Sequence, residues 1–144
     1  LMVPEDLAKL HAACFDEAPR PWTAEEFREV LASPRQFLAG VRRGFAVVQV
    51  IADQAELLTI AVDPAARGQG IGTELMTLVC EMAQARGAVE LFLEVDGTNA
   101  AARALYAKTG FTISGQRRNY YRRKDGTATD ALVMARPLVT PRQG

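Results

Sequence analysis

Histidine is all but missing from this chain, His11 being the only one among 144 residues. Cysteine is nearly as scarce, with Cys14 and Cys80 far apart in sequence and no Cys-x-x-Cys or Cys/His cluster. That pattern offers no zinc-ligand spacing and no disulfide framework, and two lone thiols fit a reducing compartment. No apolar run approaches the roughly 20 residues of a membrane span, and the first residues lack a basic stretch followed by an apolar one. A soluble, cytoplasmic protein without membrane contact is the expectation. Net charge is also absent, 17 basic residues balancing 17 acidic ones, which argues against direct coating of nucleic acid.

What is present is a globular composition, 49% apolar and 24% charged, enough for one domain over 1–144 with a buried core. Pro137 to Gly144 reads as a frayed tail. Acids crowd the first third (Glu5, Asp6, Asp16, Glu17, Glu25, Glu26, Glu29) and bases the last (Arg117, Arg118, Arg122, Arg123, Lys124). That polarity can steer a charged partner.

The stretch Leu57 to Thr73, LLTIAVDPAARGQGIGT, organises the rest. A β-branched run stops at Asp63-Pro64, and Arg67-Gly68-Gln69-Gly70-Ile71-Gly72 opens into an amphipathic segment: strand, glycine loop, helix. Glycines at a helix start let the free N–H groups of the first turn converge on an anion such as a phosphate, although glycine loops also make plain turns. A dinucleotide-binding loop would follow its strand at once, and a P-loop would carry Lys-Ser or Lys-Thr where Ile71-Gly72-Thr73 stands. Neither fits.

Elsewhere, Leu1 to Val3 is a stub that reads as a clipped strand. Pro4-Glu5-Asp6 starts a helix, and Thr23 and Glu26 have capping-box spacing for a second helix to about Ala32, with Trp22 and Phe27 as its hydrophobic staple. Phe37 to Val41, Phe45 to Ile51 and Leu57 to Val62 read as a meander of strands. The helix after the glycine loop ends at Arg86-Gly87. Val89 to Val95 reads as a strand buried on both faces, and Ala100 to Thr109 as a short helix. Phe111 to Ser114 and Ala131 to Arg136 read as strands separated by a long polar loop, Gly115 to Asp130.

Several side chains admit two readings at this level. Glu94, in an apolar strand, is either a desolvated base or a carboxylate reaching solvent or Arg103. Tyr106 is either a core aromatic or a functional phenol. His11 sits near an apolar stripe as a packed residue rather than a base. Cys80 falls opposite its helix's apolar stripe, an exposed bystander thiol. Trp22 is the staple or a wall of an acceptor site, and the loop Arg117-Arg118-Asn119-Tyr120-Tyr121 is solvated or lines a slot.

Arg67-x-x-Gly70-x-Gly72 behind a strand ending Val-Asp-Pro resembles the acetyl-CoA pyrophosphate loop of the GNAT acyltransferases. The run Asn99 to Phe111 resembles that family's helix, in which an asparagine meets the cofactor and a tyrosine two turns on approaches its sulfur. Leu93-Glu94-Val95, Gly110-Phe111 and the RRNYY stretch add a resemblance to the ribosomal-protein-alanine N-acetyltransferases, the RimI group, over about Leu57 to Leu138. The resemblance implies an α/β (α+β) GNAT fold, a mixed and mostly antiparallel sheet with a splayed strand pair flanked by helices. It implies acetyl-CoA as cosubstrate, without a metal, held by Ile60, Ala61, Val62, Arg67, Gly68, Gln69, Gly70, Ile71, Gly72, Thr73, Asn99 and Tyr106. Glu94 would relay a proton from the acceptor amine through water, Tyr106 would protonate the departing thiolate, and a backbone N–H such as that of Val62 would face the oxyanion. Trp22, Tyr120 and Tyr121 would bind the acceptor, a protein or peptide N-terminus, in that group a ribosomal protein's.

Departures from the pattern lie at the edges: the opening strand is almost absent, Thr73 stands where an arginine or lysine is common, and the linker Phe15 to Thr23 is the chain's own. A monomer or weak dimer is expected. Two rival readings share these features. Acetylation of a polyamine or aminoglycoside would call for an acidic cleft, and a non-catalytic acetyl-CoA-binding protein would not need Glu94 and Tyr106.

Overall fold

In the computed structural model, which describes residues 3–15 and 19–138, the helices begin where short-range chemistry places them. Helix α1 (Pro4–Cys14) has Pro4 in its first turn, with Glu5 and Asp6 beside the positive end of its dipole. Val3 is its N-cap residue, and Leu1 and Met2 lie outside the described residues, as do three residues of the linker, 16–18. Helix α2 (Ala24–Ala32) carries both halves of the capping box, Thr23 Oγ1 accepting from the Glu26 N–H and Glu26 accepting from the Thr23 N–H. Trp22 and Phe27 meet across it with ring centroids 5.4 Å apart. Arg20 adds a two-pronged ion pair to Glu26 at 2.8 and 2.9 Å.

Strands β1 (Gln36–Val41), β2 (Gly44–Ile51) and β3 (Gln54–Val62) form the expected antiparallel meander. A single 3-10 turn, Pro64–Ala66, is capped by Asp63, whose carboxylate accepts from the Ala65 N–H at 2.9 Å. Helix α3 (Ile71–Ala85) then crosses over to β4 (Glu90–Asp96), which pairs parallel to β3. Gly87 takes φ +88° at the helix end, and the Ala88 N–H reaches back to Ala83 O at 3.1 Å, the C-terminal motif that a glycine permits. Helix α4 (Ala100–Lys108) is capped by Asn99, whose side chain accepts from the Ala102 N–H at 3.1 Å.

Strands β5 (Thr112–Arg122) and β6 (Ala128–Pro137) complete a six-stranded sheet ordered β1-β2-β3-β4-β6-β5. Here the sequence reading is corrected: Gly115 to Asp130 is no loop but most of a long hairpin. β5 is an edge strand exposed along most of its length, so no apolar alternation marks it. Pairing with β6 and two hydrogen bonds to Asp130, from Gln116 Nε2 at 2.6 Å and the Asn119 N–H at 2.9 Å, hold it instead. The start of the expected tail is also ordered, the buried Leu138 donating its N–H to Val89 O at 2.8 Å. Residues 139–144 lie outside the described residues.

Two apolar clusters sit on opposite faces of the sheet. On one, α3 and α4 cover Ala46, Val48, Leu57, Leu91 and Leu93; on the other, α1 and α2 bury Leu7, Phe27 and Val30 against Phe45, Val47 and Ala61. Each fully buried Leu or Phe contributes about 2 kcal/mol of transfer free energy. Cys80, expected to be exposed, is buried, because the end of α4 and Arg136 cover that flank of α3. Arg136 Nη1 reaches both Cys80 Sγ at 3.4 Å and Thr109 O at 2.9 Å.

The feature that creates a site is the parting of β3 from β4. Their parallel pairing holds for Gln54↔Glu90, Ala55↔Leu91 and Glu56↔Phe92 and goes no further. Just beyond, the β2–β3 register shifts between Val47 and Val48, so that Leu58 is the extra residue of a bulge. A bulge bends and twists its strand, and here it turns β3 away. β4 is consequently not buried on both faces: Leu91, Leu93 and Val95 are buried, Phe92 is half-buried, and Glu94 and Asp96 border the opening.

Candidate active site

The opening is a cleft of about 600 Å³ running between the separated halves of β3 and β4, closed by α1, the segment before α2, α4 and the β5–β6 hairpin. Glu94, Tyr106, Tyr120, Tyr121, Trp22, Ile60, Val62, Arg67 and Asn99, all candidates from sequence, line it. Trp22 serves as staple and wall at once. Ala61 does not line it: its side chain is buried against Phe45 and Phe27, on the α1/α2 side.

Backbone direction follows from the ladder. The Asp63 N–H donates to Arg43 O at 2.8 Å, so the alternation of an antiparallel pair makes Gly44/Val62 and Ala46/Ile60 the pairs whose N–H groups point away from each other. The N–H groups of Ile60 and Val62 thus face the open side. The Val62 carbonyl, on that side too, accepts from Cys14 Sγ at 3.2 Å.

Arg67 leads from the cleft into the glycine loop. Gly68 at φ +82° and Gly70 at φ +78° occupy the left-handed region, and a Cβ on either would meet nothing within 4 Å. The backbone conformation, rather than crowding, asks for glycine there. No side chain caps α3, which leaves the N–H groups of its first turn, out of reach of any intrahelical carbonyl, as donors to an anion. The Ile71 side chain packs at Gly44, turned away from that turn's N–H groups. Gly72 is also a packing position, since a Cβ there would stand 3.0 Å from Leu105 Cδ2. It lets α4 pack close to α3. Uncapped N–H groups, an arginine and two open left-handed glycines fit a pyrophosphate, with Gln69 and Thr73 on the same stretch.

At the other end, Glu94 does not pair with Arg103, which donates instead to Gly97 O at 3.0 Å. Glu94 Oε1 lies 3.3 Å from Arg117 Nη2, and Arg117 in turn stands over the Tyr120 ring, 5.3 Å from its centroid. Tyr120 and Tyr121 pack edge to face at 5.2 Å. Burial, then the charge of Glu94, pushes the Tyr121 phenol up to about 12. Tyr106 is buried edge to face against Phe111 at 5.9 Å, and burial raises its phenol well above the ordinary tyrosine range. Both rings are therefore neutral near pH 7. Asn99 spends its side-chain oxygen on the α4 cap.

Sequence reasoning missed two polar residues here, Glu56 and Asp96. Glu56 lines the cleft beside Glu94, a placement that depends on the register of two distant strands. Asp96, at the end of β4, gathers Arg123 Nη2 and Thr129 Oγ1, both at 2.9 Å, and the Thr98 N–H and hydroxyl at 2.9 and 2.8 Å. His11 also reaches the cleft and is not a base: its Nδ1 accepts from the Trp22 N–H at 3.0 Å, so Nε2 carries the proton toward Thr59 Oγ1 at 2.7 Å. Among the described residues, no group of three or more His, Cys, Asp or Glu side chains is gathered that could hold a metal ion, and no helix is long and apolar enough to cross a membrane.

Comparison with known proteins gives this geometry a family. The chain is 44% identical over 99 residues to the ribosomal protein bS18-alanine N-acetyltransferase of Escherichia coli (strain K12), covering 69% of this chain and 66%, just under two thirds, of that enzyme's length. It is 38% identical over 130 residues to the N-alpha-acetyltransferase RimI of Mycobacterium tuberculosis, covering 84% of this chain and 78% of the relative. The crystal structure of the ribosomal-protein-S18-alanine N-acetyltransferase from Escherichia coli superposes with a TM-score of 0.78 at 36% identity, over 96% of this chain and 92% of the other. A family model described as the acetyltransferase (GNAT) family matches residues 5–111, and with the splayed sheet, glycine loop and cleft in place, the chain belongs to that family and, within it, to the RimI group.

Proposed function

We propose that this chain is one acetyltransferase domain that moves the acetyl group of acetyl-CoA to the α-amine of a protein N-terminus, with a ribosomal protein as acceptor. The observation that carries the reading is the meeting of a carboxylate, Glu94, and a neutral buried phenol, Tyr106, in one cleft between parted strands. The likeness to enzymes named for acetylation of ribosomal protein bS18 supports the substrate class.

Arg67 and the first-turn N–H groups of α3 hold the diphosphate, and the cleft-facing backbone of Ile60 and Val62 orients the arm that follows. Bound acetyl-CoA supplies a thioester carbonyl. The Val62 N–H donates to its oxygen as negative charge develops. An α-amine has a reference pKa of about 7.7 to 8.0 and is mostly protonated at pH 7, so Glu94 assists through water by taking a proton from the acceptor. Tyr106, neutral, gives its proton to the leaving sulfur. Trp22, Tyr120 and Tyr121 shape the acceptor end, and holding both reactants in one cleft supplies the large proximity share of the rate.

The test is thiol release from acetyl-CoA with short peptides varied at residue one, beside spermidine and a peptide with a blocked N-terminus and a free lysine. Acetylation of peptide N-termini, verified by mass, is the expected result. Preference for spermidine or for the lysine side chain would overturn the reading.

A further inference from the structure

Two polar side chains are buried against each other in an otherwise apolar layer. His11 of α1 is 1% exposed and Thr59 of β3 8%, and the imidazole is walled by the rings of Phe15, Trp22, Phe27 and Phe45. A buried polar group is costly unless it is paired, and an apolar pair would fill the same space without that cost. What the polar pair adds is direction, because a satisfied buried network specifies one arrangement where packing alone admits several.

The β3 bulge is what brings the two together. Ala55 and Leu57 belong to the cluster under α3 and α4, but Ala61 to the one under α1 and α2. Strict alternation would keep all three on one face; the extra residue, Leu58, switches it. Thr59, the first residue past the switch, therefore turns to α1. Pairing with β4 ends at Glu56, so Thr59 to Val62 have β2 on one side and the cleft on the other. α1 braces this parted half at two points one turn apart, His11 Nε2 to Thr59 Oγ1 at 2.7 Å and Cys14 Sγ to Val62 O at 3.2 Å. The other imidazole nitrogen, Nδ1, accepts the Trp22 N–H at 3.0 Å. Burial, against the charge of Glu26 and together with that of Arg20, keeps the ring neutral near pH 7, with one nitrogen for each neighbour. Trp22, Thr59 and His11 all line the cleft, and the gap between the Trp22 backbone and the Thr59 hydroxyl is one imidazole wide.

We propose that His11 is a positioning residue for acceptor binding: its ring is the spacer that fixes Trp22 at a set distance from the parted half of β3, and so sets the width of the cleft's acceptor end. The proposal rests on the acetyl-transfer reading above, in which Trp22 shapes that end. His11 touches neither reacting group. It acts through Trp22 on one side and through Thr59 on the other, and breaking either link lets the wall and the strand move independently. The Arg67 and α3 end of the cleft is not part of this linkage, so the effect falls on the acceptor and spares the diphosphate.

The experiment measures kcat and KM at pH 7 for a peptide that the wild type acetylates, on the full chain and on Thr59→Val, Thr59→Ser, His11→Leu and the double variant His11→Leu/Thr59→Val. Thr59→Val keeps the volume and loses the hydroxyl, whereas Thr59→Ser keeps the hydroxyl. Thr59→Val and His11→Leu are expected to raise the peptide KM about tenfold, with Thr59→Ser within about threefold of wild type. Turnover per coenzyme A site counted by calorimetry, which discounts unfolded chains, and coenzyme A affinity are expected to stay within about threefold. The double variant is expected to match His11→Leu, since both lack the same bond. Equal KM values for Thr59→Val and Thr59→Ser, or losses that appear equally in coenzyme A affinity, overturn the proposal. Trp22 is the chain's only tryptophan, so its emission reads this site alone. On the unaltered protein a saturating peptide is expected to shift that emission, a readout that holds even where a variant fails to fold. A wild type that acetylates the peptide while its emission stays unmoved overturns the proposal and leaves the activity standing. Failure of the wild type to acetylate any peptide N-terminus overturns the underlying reading, and this proposal with it.

Discussion

His11 Nε2 of α1 donates to Thr59 Oγ1 of β3 at 2.7 Å, joining residues 48 apart in sequence beside the bulge that parts the sheet. The same ring accepts the Trp22 N–H and stacks on Phe15 at 4.4 Å. One neutral imidazole therefore ties α1, the Trp22 segment before α2 and strand β3 together.

Burial, against the partly opposing charge of Glu26 and with a small push from Arg20, lowers the His11 pKa from 6.5 to about 4. The folded state refuses a proton that the unfolded chain accepts, so stability is full above about pH 6.5 and falls as pH drops toward 4. The loss across that window is about 3 kcal/mol for a shift of this size. Urea unfolding at pH 7 and pH 4.5 is expected to show it, and His11→Gln is expected to be less stable at pH 7 yet to lack this part of the slope.

The reaction chemistry makes a separate prediction. Tyr106→Phe removes a proton donor and leaves the ring packing with Phe111, so kcat is expected to drop by about 100-fold with coenzyme A affinity unchanged. Because burial raises the phenol's pKa, no alkaline limb from Tyr106 is expected below about pH 10. Glu94→Gln is expected to cut turnover most at low pH. Full activity in both variants would place the chemistry elsewhere.

Local rules were legible in the sequence and long-range register was not. The Thr23/Glu26 capping box, the Gly87 C-cap and the Gly70 helix start depend on residues a few positions apart, and the structure forms each of them. Edge strand β5 escaped because a strand exposed along most of its length has no apolar alternation to read. Cys80 was misplaced because one apolar stripe was assigned to a helix that is covered on two flanks. In the site, Glu94 stood out as a carboxylate in an apolar strand, and Arg67, Asn99 and Tyr106 through the resemblance of their stretches to the family's motifs. Glu56 did not, because only the parallel pairing with β4 brings it beside Glu94. Ala61 shows the same limit in reverse: it stands between two cleft residues in sequence, but alternation turns it into the core.

The glycine loop separates conformation from crowding. Gly70→Ala puts a side chain into open space at φ +78°, so its cost is backbone strain, about 1 to 2 kcal/mol. Weaker coenzyme A binding is expected alongside. Gly70→Asn is expected to recover part of both losses, because asparagine tolerates the left-handed region better than other side chains. Thermal unfolding and calorimetric titration of the two variants check this; an alanine variant indistinguishable from wild type in both would remove the loop's conformational role.

Asp96 offers a way to loosen acceptor binding without touching the cofactor. Burial alone would raise its pKa, but hydrogen bonds from Thr98, Arg123 and Thr129 outweigh that and lower it below 3.8. Its contribution is therefore present above about pH 4 and is lost only as pH falls through the lowered value, so the clamp holds throughout any neutral assay. The clamp pins the tip of the β5–β6 hairpin, through Arg123 and Thr129, to the end of β4, and the same hairpin carries Tyr120 and Tyr121 into the cleft and Arg117 to Glu94. Asp96→Ala leaves Arg123 with only its bond to Thr129 Oγ1, leaves the two threonine hydroxyls without this partner, and lets the tyrosines move relative to Glu94. The expected result is a KM for the acceptor peptide raised about tenfold, as for loss of one or two charge-assisted hydrogen bonds, with coenzyme A affinity unchanged because Arg67 and α3 are not involved. Asp96→Asn keeps an acceptor oxygen for one threonine and is expected to fall between the two. An unchanged acceptor KM in both would mean that the hairpin is positioned by its ladder to β6 alone.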